Sequence, residues 1–256
     1  MTLRTAVILC GGKGSRLGSL AKKIPKTLVK IQNYPILWFI INSLKKNNFN
    51  HFILPIGYKG EQIKKYIKKN IKFKNNNFEL IDTGINTSIP KRIYKIKNYI
   101  KSENFLLLNG DAIFYSNIDK IFNKHLKKKL DMSFICSETE ADFGTVVIKN
   151  GKIVDFKRST KFDFVKAKNK NDFLEYVYTG MVIINKKILK EKFAYKINFE
   201  KEFYPKIIKK YKCQMFHLDG IWYAMDNLKD VNAINKKNEN IAMFKKITNV
   251  VRKLRG

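Results

Sequence analysis

Arginine is scarce in a chain that is otherwise strongly basic: of 52 basic residues six are arginine and 46 lysine, against 21 acidic residues, for a formal charge of +31 over 256 residues. A dense positive surface gains affinity for polynucleotides by displacing counterions. Base-specific recognition, however, leans on the planar arginine fork, and single-strand platforms interleave aromatics with arginine. Neither pattern is present. The lysine runs at 64–74 and 127–129, in a chain also rich in Asn and Ile, read as solvated faces of the kind an AT-rich coding sequence produces. A basic nucleic-acid-binding protein is therefore the disfavoured alternative, and the positive field would instead draw small anions into a cleft.

Cysteine is almost missing as well. Cys10, Cys136 and Cys213 are odd in number and lack metal-ligand spacing, which argues against a disulfide framework and a zinc site and favours reduced thiols. No apolar run approaches eighteen residues, so no transmembrane helix is expected. Met1-Thr2-Leu3-Arg4 runs straight into apolar residues without a signal-peptide pattern, and a cytoplasmic location is expected. The three histidines, His51, His125 and His217, fall on a strand start, a helix and a strand, and no Ser-His-Asp or Cys-His order accompanies them. There is no Asp-x-Asp, the usual mark of metal-dependent glycosyltransferases, because position 109 is Asn. No internal repeat is present.

What is there is an alternation of buried apolar runs with helical patterns. Strands are expected at Ala6–Leu9, Phe52–Ile56, Phe78–Ile81 and Phe105–Leu108, separated by helices near Ile36–Lys46, Glu61–Lys69 and Arg92–Ile100. This rhythm predicts an α/β, Rossmann-like, mostly parallel (mixed) sheet with helices on both faces, in which ligands bind at the carboxyl ends of strands. Beyond Asp111 the pattern predicts a helix near Asn117–Leu126 and strands near Met132–Cys136, Thr145–Ile148 and Lys152–Phe156. A polar loop over the cleft at Lys157–Asp172 and a strand at Tyr176–Ile184 follow. A helix near Glu200–Tyr211, a strand near Gln214–Leu218 and a helix from about Leu228 close the series. The basic, amphipathic stretch Met243–Leu254 reads as a closing helix or a contact in a homo-oligomer rather than a membrane-surface anchor.

The first strand leads into Gly11-Gly12-Lys13-Gly14-Ser15-Arg16-Leu17, with Pro25-Lys26 a short way on. Glycines let backbone N–H groups approach phosphate oxygens, and Arg16 and Lys26 would supply charge. Two commoner loops are excluded. The dinucleotide fingerprint needs Gly where Leu17 stands, and the phosphate loop G-x-x-x-x-G-K-[ST] needs Gly where Val7 stands and Ser or Thr where Gly14 stands. Asn109-Gly110-Asp111 follows four apolar residues, placing a carboxylate at the end of a central strand.

Gly-Gly-x-Gly-Thr/Ser-Arg-Leu followed by Pro-Lys is the signature of the sugar-phosphate nucleotidyltransferase family, and the chain resembles it over most of its length. Within the family it is most similar to glucose-1-phosphate cytidylyltransferases, through Pro35-Ile36-Leu37-Trp38, Gly57-Tyr58-Lys59-Gly60, Asp82-Thr83-Gly84 with Lys91-Arg92, Asn109-Gly110-Asp111, Phe143-Gly144 and Trp222-Tyr223-Ala224-Met225-Asp226. The resemblance implies a nucleotide-binding half at 1–112 and an acceptor-binding half at 113–256 with a small β-rich lobe. It implies Mg²⁺ held by Asp111 and Asp226, with Arg16 and Lys26 on the phosphates; the alternative for Asp226 is the N-cap of the following helix. Leu9, Gly11, Gly12, Gly14, Ser15, Thr83, Arg92 and Gly110 are the implied nucleotide contacts.

The base-reading Gln of uridylyl- and thymidylyltransferases is absent, which favours CTP. Where relatives carry Glu-Lys-Pro and Asn-Gly-Gly around the sugar phosphate, this chain has Phe156-Lys157-Arg158-Ser159-Thr160 and Tyr178-Thr179-Gly180. Lys157, Arg158, Tyr178, Thr179 and Gly180 are the expected acceptor residues. These departures favour a small non-hexose acceptor, phosphoglutamine first, on the way to capsule or surface-polysaccharide modification. Glucose 1-phosphate and phosphocholine are the alternatives.

Overall fold

A computed structural model describes residues 2–70, 77–137, 145–149, 152–157, 165–166, 172–173, 177–191 and 198–236. In chain order, β1 (Thr5–Leu9) is followed by a short hairpin, β2 (Lys30–Ile31) and β3 (Tyr34–Pro35), then α1 (Ile36–Lys46), β4 (His51–Ile56), α2 (Gly60–Lys69), β5 (Asn77–Asp82), α3 (Ile89–Ile96), β6 (Asn104–Asn109), β7 (Ala112–Ser116), α4 (Ile118–Lys127) and β8 (Met132–Ser137). Two antiparallel pairs follow, β9 (Thr145–Lys149) with β10 (Lys152–Lys157) and β11 (Val165–Lys166) with β12 (Asp172–Phe173). β13 (Val177–Asn185), α5 (Tyr204–Lys210), β14 (Cys213–His217), β15 (Gly220–Ala224) and α6 (Leu228–Lys236) complete the described chain.

Seven strands form one sheet in the order β14-β8-β13-β6-β1-β4-β5. Only β13 runs against the rest, antiparallel to both β6 and β8. The period-2 alternation of apolar side chains sorts the core into two layers. Ala6 and Ile8 of β1, with Leu106 and Leu108 of β6, share one layer with Ile40 and Leu44 of α1, Ile63 of α2 and Phe122 of α4. Val7, Phe105 and Leu107 point the other way, against Ile93 and Ile96 of α3 and Ile207 of α5. Both faces are therefore covered, which is why the strands carry continuous apolar runs.

Three expectations are corrected. The residues after Asp111 do not pass directly to a helix: β7 intervenes and pairs antiparallel with β15, Ala112 opposite Ala224 and Ser116 opposite Gly220. Residues 97–99 form a separate 3-10 turn after α3, and the helix expected near Glu200 begins as a π-helical turn at Phe199–Phe203. Phe143-Gly144, the Asn150-Gly151 turn, much of the Lys157–Asp172 loop and the Met243–Leu254 stretch lie outside the described residues.

His125 sits fully buried on α4, its ring nitrogens hydrogen-bonded to Ser133 Oγ at 2.7 Å and Asn104 Oδ1 at 3.0 Å. Burial pushes its pKa down to about 4. An unfolded histidine protonates near pH 6.5. Its contribution is thus complete above pH 6.5 and is lost as pH falls toward 4, up to roughly 3 kcal/mol. Urea titrations from pH 7.5 to 4 should show stability falling across this window, with the slope shallower by about one proton in His125→Gln. An unchanged slope would assign the acid sensitivity elsewhere.

Candidate functional site

A cleft of about 760 Å³ opens at the carboxyl ends of β1, β5 and β6. Its floor is the loop leaving β1. The Gly11 carbonyl accepts hydrogen bonds from Tyr58 N at 3.3 Å and Arg92 Nη2 at 2.8 Å, which pins the start of the loop. Gly14 has φ +62, and a Cβ there would stand 3.0 Å from Lys26 Cβ, so only glycine lets the loop turn this close to Lys26. Gly110 is likewise closed to a side chain, since a Cβ would meet Leu9 O at 2.6 Å and Thr27 Cγ2 at 2.8 Å.

Two carboxylates and two cations meet at the cleft. Lys26 Nζ lies 2.9 Å from Asp111 Oδ2 and 3.1 Å from Asp226 Oδ1, and Arg16 Nη1 lies 3.7 Å from the same Asp226 oxygen. The Lys26 side chain is 14% exposed and that of Arg16 77%, so lysine forms the base of the cluster and arginine its mouth. The β7–β15 ribbon brings the carboxylates together from 115 positions apart. Asp111 immediately precedes β7, Asp226 follows β15, and Met225 N donates to Asp111 O at 2.8 Å.

Asp226 is not the N-cap of α6. Asn227 takes that role, accepting from Asp230 N at 3.1 Å while the Asp230 carboxylate accepts from Asn227 N at 3.0 Å and Asp226 N at 2.8 Å. This reciprocal capping box satisfies the helix end and leaves the Asp226 carboxylate for the cleft.

Leu9, Gly11, Gly12, Gly14, Ser15, Arg16, Lys26, Gly110, Asp111 and Asp226 all line the cleft. Four of the expected contacts have partners within the protein. Thr83 is fully buried and outside the lining; its hydroxyl donates to Ile56 O at 2.7 Å and receives the Arg92 guanidinium. Arg92 borders the cleft, but Nη1 also reaches Ile56 O at 3.2 Å, and Nη2 reaches Gly11 O and, at 3.1 Å, Ile85 O. Its donors face main-chain carbonyls, so it clamps three loops together. Burial pulls its pKa below the ordinary arginine value, against the opposing influence of Asp82.

Tyr178 and Thr179 are held by neighbouring strands and by α5. The Tyr178 hydroxyl bonds Tyr204 at 3.0 Å within an aromatic cluster with Phe134, and Thr179 Oγ1 donates to Ile135 O at 2.6 Å. Neither lines the cleft. They form part of a β-bulge, because pairing with β8 shifts between Tyr178 and Met181. At the bulge Gly180 has φ +77 and admits the Asn109 side chain, whose Nδ2 would be 2.7 Å from a Cβ. Of the other acceptor candidates, Lys157 ends β10 and Arg158 lies outside the described residues.

The cleft is also lined by Ile85, Asn86, Thr87, Ser88 and Ile89, a continuous wall, and by Lys13 and Thr27, none of which the sequence reading assigned to the site, and by Asn109 of the Asn109-Gly110-Asp111 motif. The signal for the wall was Pro90 in the first turn of α3, which marks the preceding residues as a helix entry. Cys10 packs in the core, where burial pushes its thiol pKa up and keeps it inert.

A glycine loop, a floor lysine and two facing carboxylates at the carboxyl edge of a doubly covered sheet define an enzyme that handles phosphate groups. Residues 5–240 match the nucleotidyl transferase family, and the chain belongs to it. It is 29% identical over 256 aligned positions to a probable glucose-1-phosphate cytidylyltransferase of Bacillus subtilis, covering 90% of this chain and 94% of that one. It is 30% identical to a D-glycero-α-D-manno-heptose 1-phosphate guanylyltransferase of Aneurinibacillus thermoaerophilus, covering 78% and 86%. Among solved structures, HddC from Yersinia pseudotuberculosis complexed with GMP-PN superposes with a TM-score of 0.67 at 22% identity, covering 91% of this chain and 99% of that one. That likeness concerns the fold. No helix among the described residues is long and apolar enough to cross a membrane.

Proposed function

We propose that the chain is a divalent-metal-dependent, cytoplasmic cytidylyltransferase that joins CTP to a phosphate monoester and releases pyrophosphate. The observation that carries this reading is the convergence of Asp111, Asp226, Lys26 and Arg16 at one end of the glycine-lined cleft. An oxygen of the acceptor phosphate attacks the α-phosphorus of CTP; the new P–O bond forms as the bond to pyrophosphate breaks. The acceptor's second pKa is near 6, so the nucleophile is anionic at neutral pH and needs no general base. The barrier is repulsion between polyanions, roughly 4 kcal/mol for unit charges about 4 Å apart at an effective dielectric of 20.

Lys26 offsets that repulsion from the floor of the site and Arg16 from its mouth, where it would meet the departing pyrophosphate. The two carboxylates converge on one cation, here the Lys26 ammonium, and their hard oxygens suit Mg²⁺. When bound, Mg²⁺ supplies charge neutralisation and alignment of phosphate oxygens. The loop of residues 1–112 provides the nucleotide half, and the acceptor enters from the side of residues 113–256.

The relatives' names support a sugar 1-phosphate as acceptor, with glucose 1-phosphate first. Because Tyr178 and Thr179 turn into the core, they offer no obstacle to hexose hydroxyls. Phosphoglutamine or another small phosphate monoester remains the second reading, carried by Lys157-Arg158-Ser159 in place of Glu-Lys-Pro. Pyrophosphate release with four nucleoside triphosphates against both classes of acceptor decides. CTP with glucose 1-phosphate should be fastest, and a faster rate with phosphoglutamine would reverse the order.

Arg16→Lys is expected to lower kcat/KM for the nucleotide, because a point charge does not reproduce the planar fork that holds two phosphate oxygens. Steady-state kinetics with an unchanged kcat/KM would contradict the position assigned to Arg16.

A further inference from the structure

The Lys26 ammonium stands where the two carboxylates converge, 2.9 Å from one and 3.1 Å from the other. It bonds carboxylate oxygens of the two residues that would hold a metal ion, and the two cations would repel each other. Among the described residues no group of three or more His, Cys, Asp or Glu side chains is placed to hold a metal ion. The protein therefore offers a metal two carboxylates already paired with an internal cation.

The backbone under Lys26 is fixed. Leu28 N donates to Pro25 O at 2.9 Å and Val29 N to Lys26 O at 3.1 Å, and the Gly14 backbone runs so near that a Cβ on it would stand 3.0 Å from Lys26 Cβ. Its flexible four-carbon stem nevertheless lets the ammonium move several ångströms without the chain. An incoming triphosphate provides both a new anion for the ammonium and further oxygens for the metal.

Building on the metal-dependent reading above, we propose that Lys26 is a competing counter-ion: it keeps metal affinity low in the free enzyme and makes metal uptake depend on the nucleotide. Lys26 exchanges the carboxylates for phosphate as the metal takes its place. Free enzyme would then not accumulate a metal-loaded, nucleotide-free form.

The experiment is a titration of nucleotide-free protein with Mn²⁺, following free Mn²⁺ by electron paramagnetic resonance. Lys26→Met should bind Mn²⁺ at least about tenfold more tightly than wild type, since removing a like charge at contact distance favours the cation. Lys26→Gln should do the same, and circular dichroism shows which variants are folded. Lys13→Met is the control for the general field, because Lys13 also lines the cleft but has no carboxylate partner among the described residues; its affinity should stay within about twofold of wild type. Adding Asp111→Asn to Lys26→Met should abolish the gain.

Equal affinity in wild type and the folded Lys26 variants, or an equal gain in Lys13→Met, overturns the competition. So does absence of Mn²⁺ binding by the folded Lys26 variants. The metal-dependent reading is judged separately, by whether pyrophosphate release in wild type stops on chelation with EDTA. Release that survives EDTA overturns both proposals.

Discussion

Asp111→Asn and Asp226→Asn are each expected to lower turnover at saturating substrates by at least about a hundredfold, since removing one charged partner of a transition state typically costs a few kcal/mol. The amide keeps the shape of the side chain and removes the charge that faces Lys26. The fold should survive, because the Asn227–Asp230 capping box and the β7–β15 pairing use neither carboxylate. Single-turnover rates separate this loss from weaker substrate binding. A variant at either position with near-normal turnover would remove that residue from the reaction.

Arg92→Met should act on the scaffold instead. It strips partners from the Gly11, Ile56 and Ile85 carbonyls and from the Thr83 hydroxyl. Gly11 O keeps Tyr58 N, and Ile56 O keeps the Thr83 amide and hydroxyl, so the main loss is the charged donor to these groups and to Ile85 O, about 2 kcal/mol. For a chain of this size that corresponds to a fall in Tm of about 5 °C. Folded variant at low temperature should show a raised KM for CTP with a smaller change in kcat, because the loop start moves while the carboxylates stay. A Tm within about 2 °C of wild type would mean the three loops do not depend on this clamp.

Strands buried on both faces and the helices between them were legible because their signals are local. The Ile36–Lys46 helix has the extent its apolar spacing predicted, and β1, β4 and β6 differ from expectation by a residue or so. The glycine loop and the Asp111–Asp226 pairing were legible through short motifs in a fixed order. What was not legible depends on distant partners. The strand Ala112–Ser116 is too short to announce itself and exists by pairing with residues more than a hundred positions on. The internal partners of Thr83, Arg92 and Tyr178 were not legible for a related reason: residue type says that a polar atom needs a partner, and only the fold says which groups of the chain supply one.

The β7–β15 ribbon also sets a clock. A chain emerging from the ribosome has its glycine loop and Asp111 long before β15 exists, so it carries half of a cation site and no counterpart to complete it. Domains are synthesised at about 5–20 residues per second, which leaves a gap of several seconds between the two carboxylates. During that interval the nascent protein has the glycine loop and one of the two carboxylates that line the cleft. The two carboxylates come together late, when the last strand of the ribbon pairs.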